Sequence, residues 1–233
     1  MGVAVEKKGK ILDRIRLAKA PRPRKEFSGD SGFLPDLVKE NQELIILREN
    51  LRKTDTGLIM AKNTDELGRA LLRCFEDAGA RRAIVFSDEI PKGHDLVKWW
   101  SRSRARKDSC EVQFGTESIT SVGEDLGRYL AGVDVCVTGC LYLVADGGVC
   151  VMDSSAGSGR LSSLLPPHHI VVAEKSRLVS HLGKVMGQLS GEEFKKRSSL
   201  ILISGPSRTA DIEKELVLGV HGPLTLTVIL TSG

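Results

Sequence analysis

Short runs of Val, Ile and Leu recur along this chain, each only a few residues long, and the stretches between them are patterned as capped helices. Gly57-Leu-Ile-Met-Ala61 is followed by Asn63-Thr64-Asp65-Glu66, a helix-opening pattern in which a capping side chain precedes a carboxylate by three residues. The helix it predicts runs through Leu67, Leu71, Leu72 and Phe75, stops at Gly79, and gives way to Ala83-Ile-Val-Phe86. A strand, a crossover helix and a second strand bury their apolar faces together in one arrangement, a parallel sheet covered by helices.

The same rhythm returns downstream. Val133-Asp-Val-Cys-Val-Thr138, Val149-Cys-Val-Met152, His169-Ile-Val-Val-Ala173, Leu200-Ile-Leu-Ile203 and Leu224-Thr-Leu-Thr-Val-Ile-Leu230 read as strands. Cys140–Ala145 reads either as a strand or as a buried turn of helix. Helices are predicted over Leu34–Lys53 and Ser176–Leu189, and Ser190-Gly-Glu-Glu193 is a capping pattern before a short basic helix. The expectation is an α/β fold of about seven strands, a mostly parallel sheet with helices on both faces.

Charge divides the chain. Residues 1–30 hold nine Lys and Arg against four Asp and Glu, while the rest is close to neutral. Lys7-Lys8-Gly9-Lys10 and Pro21-Arg22-Pro23-Arg24-Lys25 make a poor core, so residues 1–33 are expected to form a basic arm and residues 34–233 a single α/β domain. A tail without a reading element attracts phosphate without specificity, and at 4% aromatic residues the chain has little with which to stack bases. Specific nucleic-acid binding is therefore not expected; docking of the arm on a partner or on a second copy stays open. No apolar run reaches membrane-spanning length, and five cysteines, at 74, 110, 136, 140 and 150, are too sparse for a disulfide scaffold. A cytoplasmic protein is expected.

Phosphate-loop, zinc-protease, nucleophile-elbow and Cys-x-x-Cys patterns are absent from the sequence. The spacing of Cys136, Cys140 and Cys150 is looser than zinc or iron–sulfur sites favour, so no metal site is expected. Two segments are suited to anions. In Asp153-Ser-Ser-Ala-Gly-Ser-Gly-Arg160, Gly157 and Gly159 leave the backbone free to aim N–H groups at a ligand, although a plain surface turn explains them equally. In Ser204-Gly-Pro-Ser-Arg-Thr-Ala-Asp-Ile-Glu213, Gly205-Pro206 turns the chain after a buried strand. There Ser207 or Thr209 is placed to cap a short helix, and Arg208 offers a planar fork for carboxylate or phosphate unless it merely pairs with Asp211 or Asp153. The reading puts this cluster beyond the carboxyl ends of the parallel strands, where such sheets bind ligands. His221, in the turn Gly219-Val-His-Gly-Pro223, is within range of the same crevice on this reading.

Val137-Thr-Gly139, Leu164-Leu-Pro-Pro-His168-His-Ile, Gly205-Pro-Ser-Arg-Thr-Ala-Asp-Ile-Glu213 and Gly219-Val-His-Gly-Pro223, in that order, resemble the motifs of the LUD-domain family. The resemblance implies a fold like that of the sugar-phosphate isomerases and CoA transferases, and a part in oxidising L-lactate to pyruvate beside two iron–sulfur subunits. It also implies that the clusters on those partners, rather than a cofactor in this chain, carry the electrons. Thr138, Gly139 and His168 join Ser207, Arg208, Thr209 and Asp211 as expected ligand-binding positions. Where the family pattern has Ala-Glu-Thr/Ser-Gly-Thr, this chain has Ala145-Asp146-Gly147-Gly148-Val149, which keeps a shorter carboxylate and loses two hydroxyls. Asp146 and His221 are the candidate catalytic or polar partners. The competing reading is a self-contained CoA-transferase-like or phosphosugar-isomerase-like enzyme with Asp146 as base or nucleophile, and a non-catalytic ligand sensor is a third.

Overall fold

In a computed structural model of the chain, the residues described are 42–103, 110–115, 126–153, 160–189, 197, 199–210, 216–218 and 222–232. The basic arm, the Gly157–Gly159 stretch, the Ser190–Glu193 capping pattern, Asp211 and His221 lie outside them.

The first elements follow the sequence reading closely. Helix α1 (Gln42–Lys53) buries Leu44, Leu47 and Leu51 on one face, and β1 (Gly57–Ala61) follows it. Helix α2 (Thr64–Asp77) opens with a reciprocal cap: the Asn63 side chain accepts from the Glu66 N–H at 2.9 Å, and the Glu66 carboxylate accepts from the Lys62 N–H at 2.9 Å. It ends where Gly79, at φ +59°, turns the chain so that the Ala80 N–H reaches the Phe75 carbonyl. Asn63→Ala removes the cap acceptor and is expected to cost about 1 kcal/mol, read as a lower urea midpoint at unchanged slope.

Strand β2 (Arg82–Val85), helix α3 (Leu96–Arg102), β3 (Glu111–Phe114), the short helix α4 (Leu126–Leu130) and β4 (Val135–Gly139) come next. A hairpin of β5 (Tyr142–Val144) and β6 (Val149–Asp153) precedes β7 (His168–Glu174). The chain continues through β8 (Leu178–Val179), α5 (Leu182–Gln188), β9 (Leu200–Ile203), β10 (Arg208–Ala210), β11 (Leu216–Leu218) and β12 (Thr225–Thr231).

Six strands form an all-parallel sheet in the order β1-β12-β7-β4-β2-β3. Successive residues of a strand face opposite sides, and both sides of this sheet are covered. On one side Val85, Val135, Val137, Ile170, Val172 and Ile229 pack against α2 and α3. On the other, Val171, Ala173, Leu226, Val228 and Leu230 meet the leucines of α1 and the inner face of a second sheet, while α4 covers Ile84 and Cys136. Each fully buried Val, Leu or Ile among them contributes roughly 1.5–3 kcal/mol.

That second sheet, of order β8-β5-β6-β9, was not foreseen. The Cys140–Ala145 ambiguity resolves as β5, paired antiparallel with β6, and Leu200–Ile203 joins the far side of β6 instead of the parallel sheet. The run reads as a buried parallel strand, but it is only half-buried, with Leu202 45% exposed. The helix expected from Ser176 starts at Leu182, after a 3-10 turn at Lys175–Arg177 and the short strand β8. Its Val185 and Leu189 cover the outer face of the second sheet at Val144 and Val151.

Candidate functional site

Ser204–Arg208 does not open a helix. Arg208, Thr209 and Ala210 form β10, paired antiparallel with Leu216–Leu218 in a two-stranded ribbon, so no helix N-terminus stands there for an anion. The polar and turn-forming residues of this segment suit a turn into a ribbon as well as they suit a cap.

The turn that precedes the ribbon is tightly seated. Gly205 has φ +93°, and a Cβ on it would lie 2.8 Å from the Thr54 Cβ, so the turn rests on the one linking α1 to β1. The Ser204 hydroxyl donates to the Gly147 carbonyl at 2.8 Å, which ties in the β5–β6 hairpin, and the Ser207 N–H donates to the Pro223 carbonyl at 2.8 Å. Arg208 pairs with Asp55 across 2.5 Å, a partner the sequence reading did not name, while Asp211 lies outside the described residues. Asp153 is held by Arg197. Both members of the Asp55–Arg208 pair are partly exposed, and a pair of that kind is worth at most about 1 kcal/mol.

These turns gather at the amino ends of β1 and β12, not at the carboxyl ends of the parallel strands as the sequence reading had it. Asp146 occupies the tip of the hairpin turn, closed by the Gly148 N–H on the Ala145 carbonyl, and is exposed. Gly147 at φ +86° takes the third position, where a type II turn requires positive φ. The Asn50 amide braces the same turn by donating to the Ala145 carbonyl at 2.9 Å. The structure thus brings the Asp146 turn and the Ser207–Arg208 turn together.

His168 and the Thr138–Gly139 pair lie elsewhere. His168 is buried at the amino end of β7 with Nε2 2.9 Å from the Thr227 hydroxyl, and burial pushes its pKa down to about 4. Its neighbour His169 faces the other side of the strand, with Nε2 2.8 Å from the Thr138 hydroxyl. Burial, with a smaller contribution from His168, takes His169 down to about 3, and its Nδ1 has no hydrogen-bond partner among the described residues. Thr138 is fully buried. Gly139 ends β4 where the main sheet reverses its winding, and a Cβ there would lie 1.9 Å from the Glu89 carbonyl oxygen. Its small size admits the 3-10 turn Ser87–Glu89. Thr209 keeps its place in β10, and its side chain lies outside the described residues.

A second polar cluster lies at the carboxyl ends of β1 and β7. His94 Nδ1 is 3.2 Å from the Thr64 hydroxyl at the start of α2; partial burial lowers the pKa of His94, while the Glu174 carboxylate opposes that shift. Its members come from α2, the loop before α3 and β7, and no local motif marked them. All five cysteines are buried and unpaired; burial pushes Cys74 and Cys140 up to about 12 and Cys136 and Cys150 well above the ordinary thiol range. Among the described residues no three His, Cys, Asp or Glu side chains come together as a metal-ligand set. No helix among them is long and apolar enough to cross a membrane.

The LUD domain family model matches residues 46–231, a span that takes in both sheets and every turn described above. The chain belongs to the LUD domain family. LUD-family relatives include lactate utilization protein C of Halalkalibacterium halodurans, 33% identical over 203 residues that cover 84% of this chain and 83% of the relative. The protein of the same name from Macrococcus caseolyticus is 27% identical over 95% of this chain and 91% of its own length. The LUD fold itself is similar to the crystal structure of a DUF162 family protein from Deinococcus radiodurans, with a TM-score of 0.57, 23% identity, and coverage of 81% of this chain and 96% of that one.

Proposed function

We propose that this chain serves lactate utilization in the cytoplasm as a subunit that binds a small anionic ligand, while two iron–sulfur partner subunits carry the electrons of L-lactate oxidation. The observation that carries this reading is the similarity, over more than four-fifths of both chains, to a relative named lactate utilization protein C. The cysteine spacing supports the division of labour: Cys136, Cys140 and Cys150 are spaced more loosely than iron–sulfur sites favour. Arg208, Ser207 and the Asp146 turn gather polar groups at one junction, where Asp55 already engages the Arg208 guanidinium.

The test is reconstitution. The chain is combined with the two proposed iron–sulfur partner subunits, and L-lactate-dependent reduction of an artificial electron acceptor is followed. Full activity is expected from the three together, with a large loss when this chain is left out. Undiminished turnover by the other two without it, or lactate oxidation by this chain alone, would overturn the proposal.

A further inference from the structure

The β2–β3 edge of the main sheet is apolar on one side and polar on the other. Val112 and Phe114 of β3 face the core beside α2 and α3, and the intervening Glu111 and Gln113 face the side that α4 covers. Arg82, paired in register with Glu111, faces the same way, and Tyr129 reaches over from α4. Between them is a cleft of about 310 Å³, its open mouth included, lined by Arg82, Glu111, Gln113 and Tyr129 above Ala83 and Val133. Much of that volume is open solvent, and the enclosed part suits only a small molecule.

The lining is fixed in all but one respect. The Tyr129 hydroxyl donates to the Gln113 side-chain carbonyl, and the Gln113 amide donates to the Glu111 carboxylate at 3.4 Å. The backbone N–H groups of Arg81 and Arg82 are anchored on the Asp134 carboxylate at 2.8 and 3.0 Å. Gly132 lets the Arg82 side chain lie flat against the chain, since a Cβ there would come 2.9 Å from Nη2. The guanidinium so placed has no hydrogen bond or ion pair among the described residues, whereas that of Arg208 is engaged by Asp55.

We propose that this cleft is a binding site for a small 2-hydroxy carboxylate, the carboxylate forked on Arg82 and the hydroxyl donating to Glu111. A fork of two parallel N–H donors matches a carboxylate, and a carboxylate acceptor beside it selects a ligand that brings a proton on the neighbouring oxygen. The proposal rests on the reading that the chain binds a small anionic acid, and moves that acid from the Ser204–Arg208 junction to this cleft.

Titration calorimetry on the full chain with L-lactate, pyruvate and inorganic phosphate tests it, with thermal melts as the folding control. Wild type is expected to bind L-lactate, and Arg82→Gln to weaken binding by about tenfold or more, as loss of a charge-assisted pair does. Glu111→Gln is expected to weaken L-lactate while leaving pyruvate, which has no hydroxyl proton, unchanged or tighter. Arg81→Gln, at an exposed neighbour outside the cleft lining, is expected to bind as wild type does. Loss of binding in Arg208→Gln with Arg82→Gln unaffected overturns this site and leaves the proposed function standing. Binding of phosphate alone overturns the ligand class. Failure of wild type to bind either acid overturns the site and the ligand-binding part of the proposed function together, with the subunit role still decided by reconstitution.

Discussion

Gly139→Ala is expected to destabilise the domain by about 3–5 kcal/mol, at the upper end for a single methyl group. The added Cβ would meet the Glu89 carbonyl oxygen at 1.9 Å and the Glu89 carbonyl carbon at 2.6 Å, and these are backbone atoms that no rotamer change moves. Relief requires shifting either the end of β4, a central strand, or the 3-10 turn Ser87–Glu89, whose approach is fixed by the Phe86 N–H bonded to the Val137 carbonyl. Gly187→Ala is the matched control: nothing stands within 4 Å of its Cβ position in α5, and the exchange there is expected to be neutral or stabilising by about 1 kcal/mol. Urea unfolding of both variants decides the matter. A Gly139→Ala chain that unfolds at the wild-type midpoint yet loses ligand would return Gly139 to the binding role that its place in Val137-Thr-Gly139 implied.

Gly139 shows what the sequence carries and what it leaves out. Local instructions were legible: the Asn63 cap, the Gly79 stop and the β-branched runs each act within a few residues of themselves, and each forms as read. Partner choice between distant segments was not. The run Leu200-Ile-Leu-Ile203 has the composition of a buried parallel strand, and nothing within it says that its neighbour is β6 rather than β12. Gly205-Pro206-Ser207 begins a turn in either reading, and only contacts with Thr54, Asp55 and Gly147, at least 57 residues away along the chain, decide between a helix and a ribbon beyond it. The Arg82 cleft was missed for the same reason, since its polar residues come from β2, β3 and α4. A local trace of it existed in the alternation of Glu111 and Gln113 with Val112 and Phe114, which marks a strand with one polar face.

The other large effect is on acid stability. His168 and His169 stand on opposite faces of β7, each sealed in the core with a threonine hydroxyl as partner, and burial holds both neutral, with pKa values of about 4 and about 3 against an ordinary 6.5. In the unfolded chain both imidazoles take up a proton near pH 6.5, and in the folded chain neither does so until the pH is far lower. The stability tied to their neutrality is therefore complete above pH 6.5 and is lost as pH falls from there toward 4 for His168 and 3 for His169. With two protons taken up only on unfolding, stability should fall by about 2.7 kcal/mol per pH unit below about pH 6, before most carboxylates begin to titrate. His94, whose pKa is lowered less completely because Glu174 opposes the effect, adds to the slope with the same sign. By pH 4.5 the loss is on the order of 5 kcal/mol, comparable with the whole stability of many domains. Urea midpoints at pH 7, 6, 5 and 4.5 measure it, and His168→Gln, which keeps a hydrogen-bonding side chain and cannot ionise, should flatten the profile by close to half. NMR titration of the imidazoles keeps the test open even if that variant folds poorly. Either ring titrating near 6.5 in the folded wild-type chain would mean that it is hydrated, and the acid transition would then belong to the carboxylates.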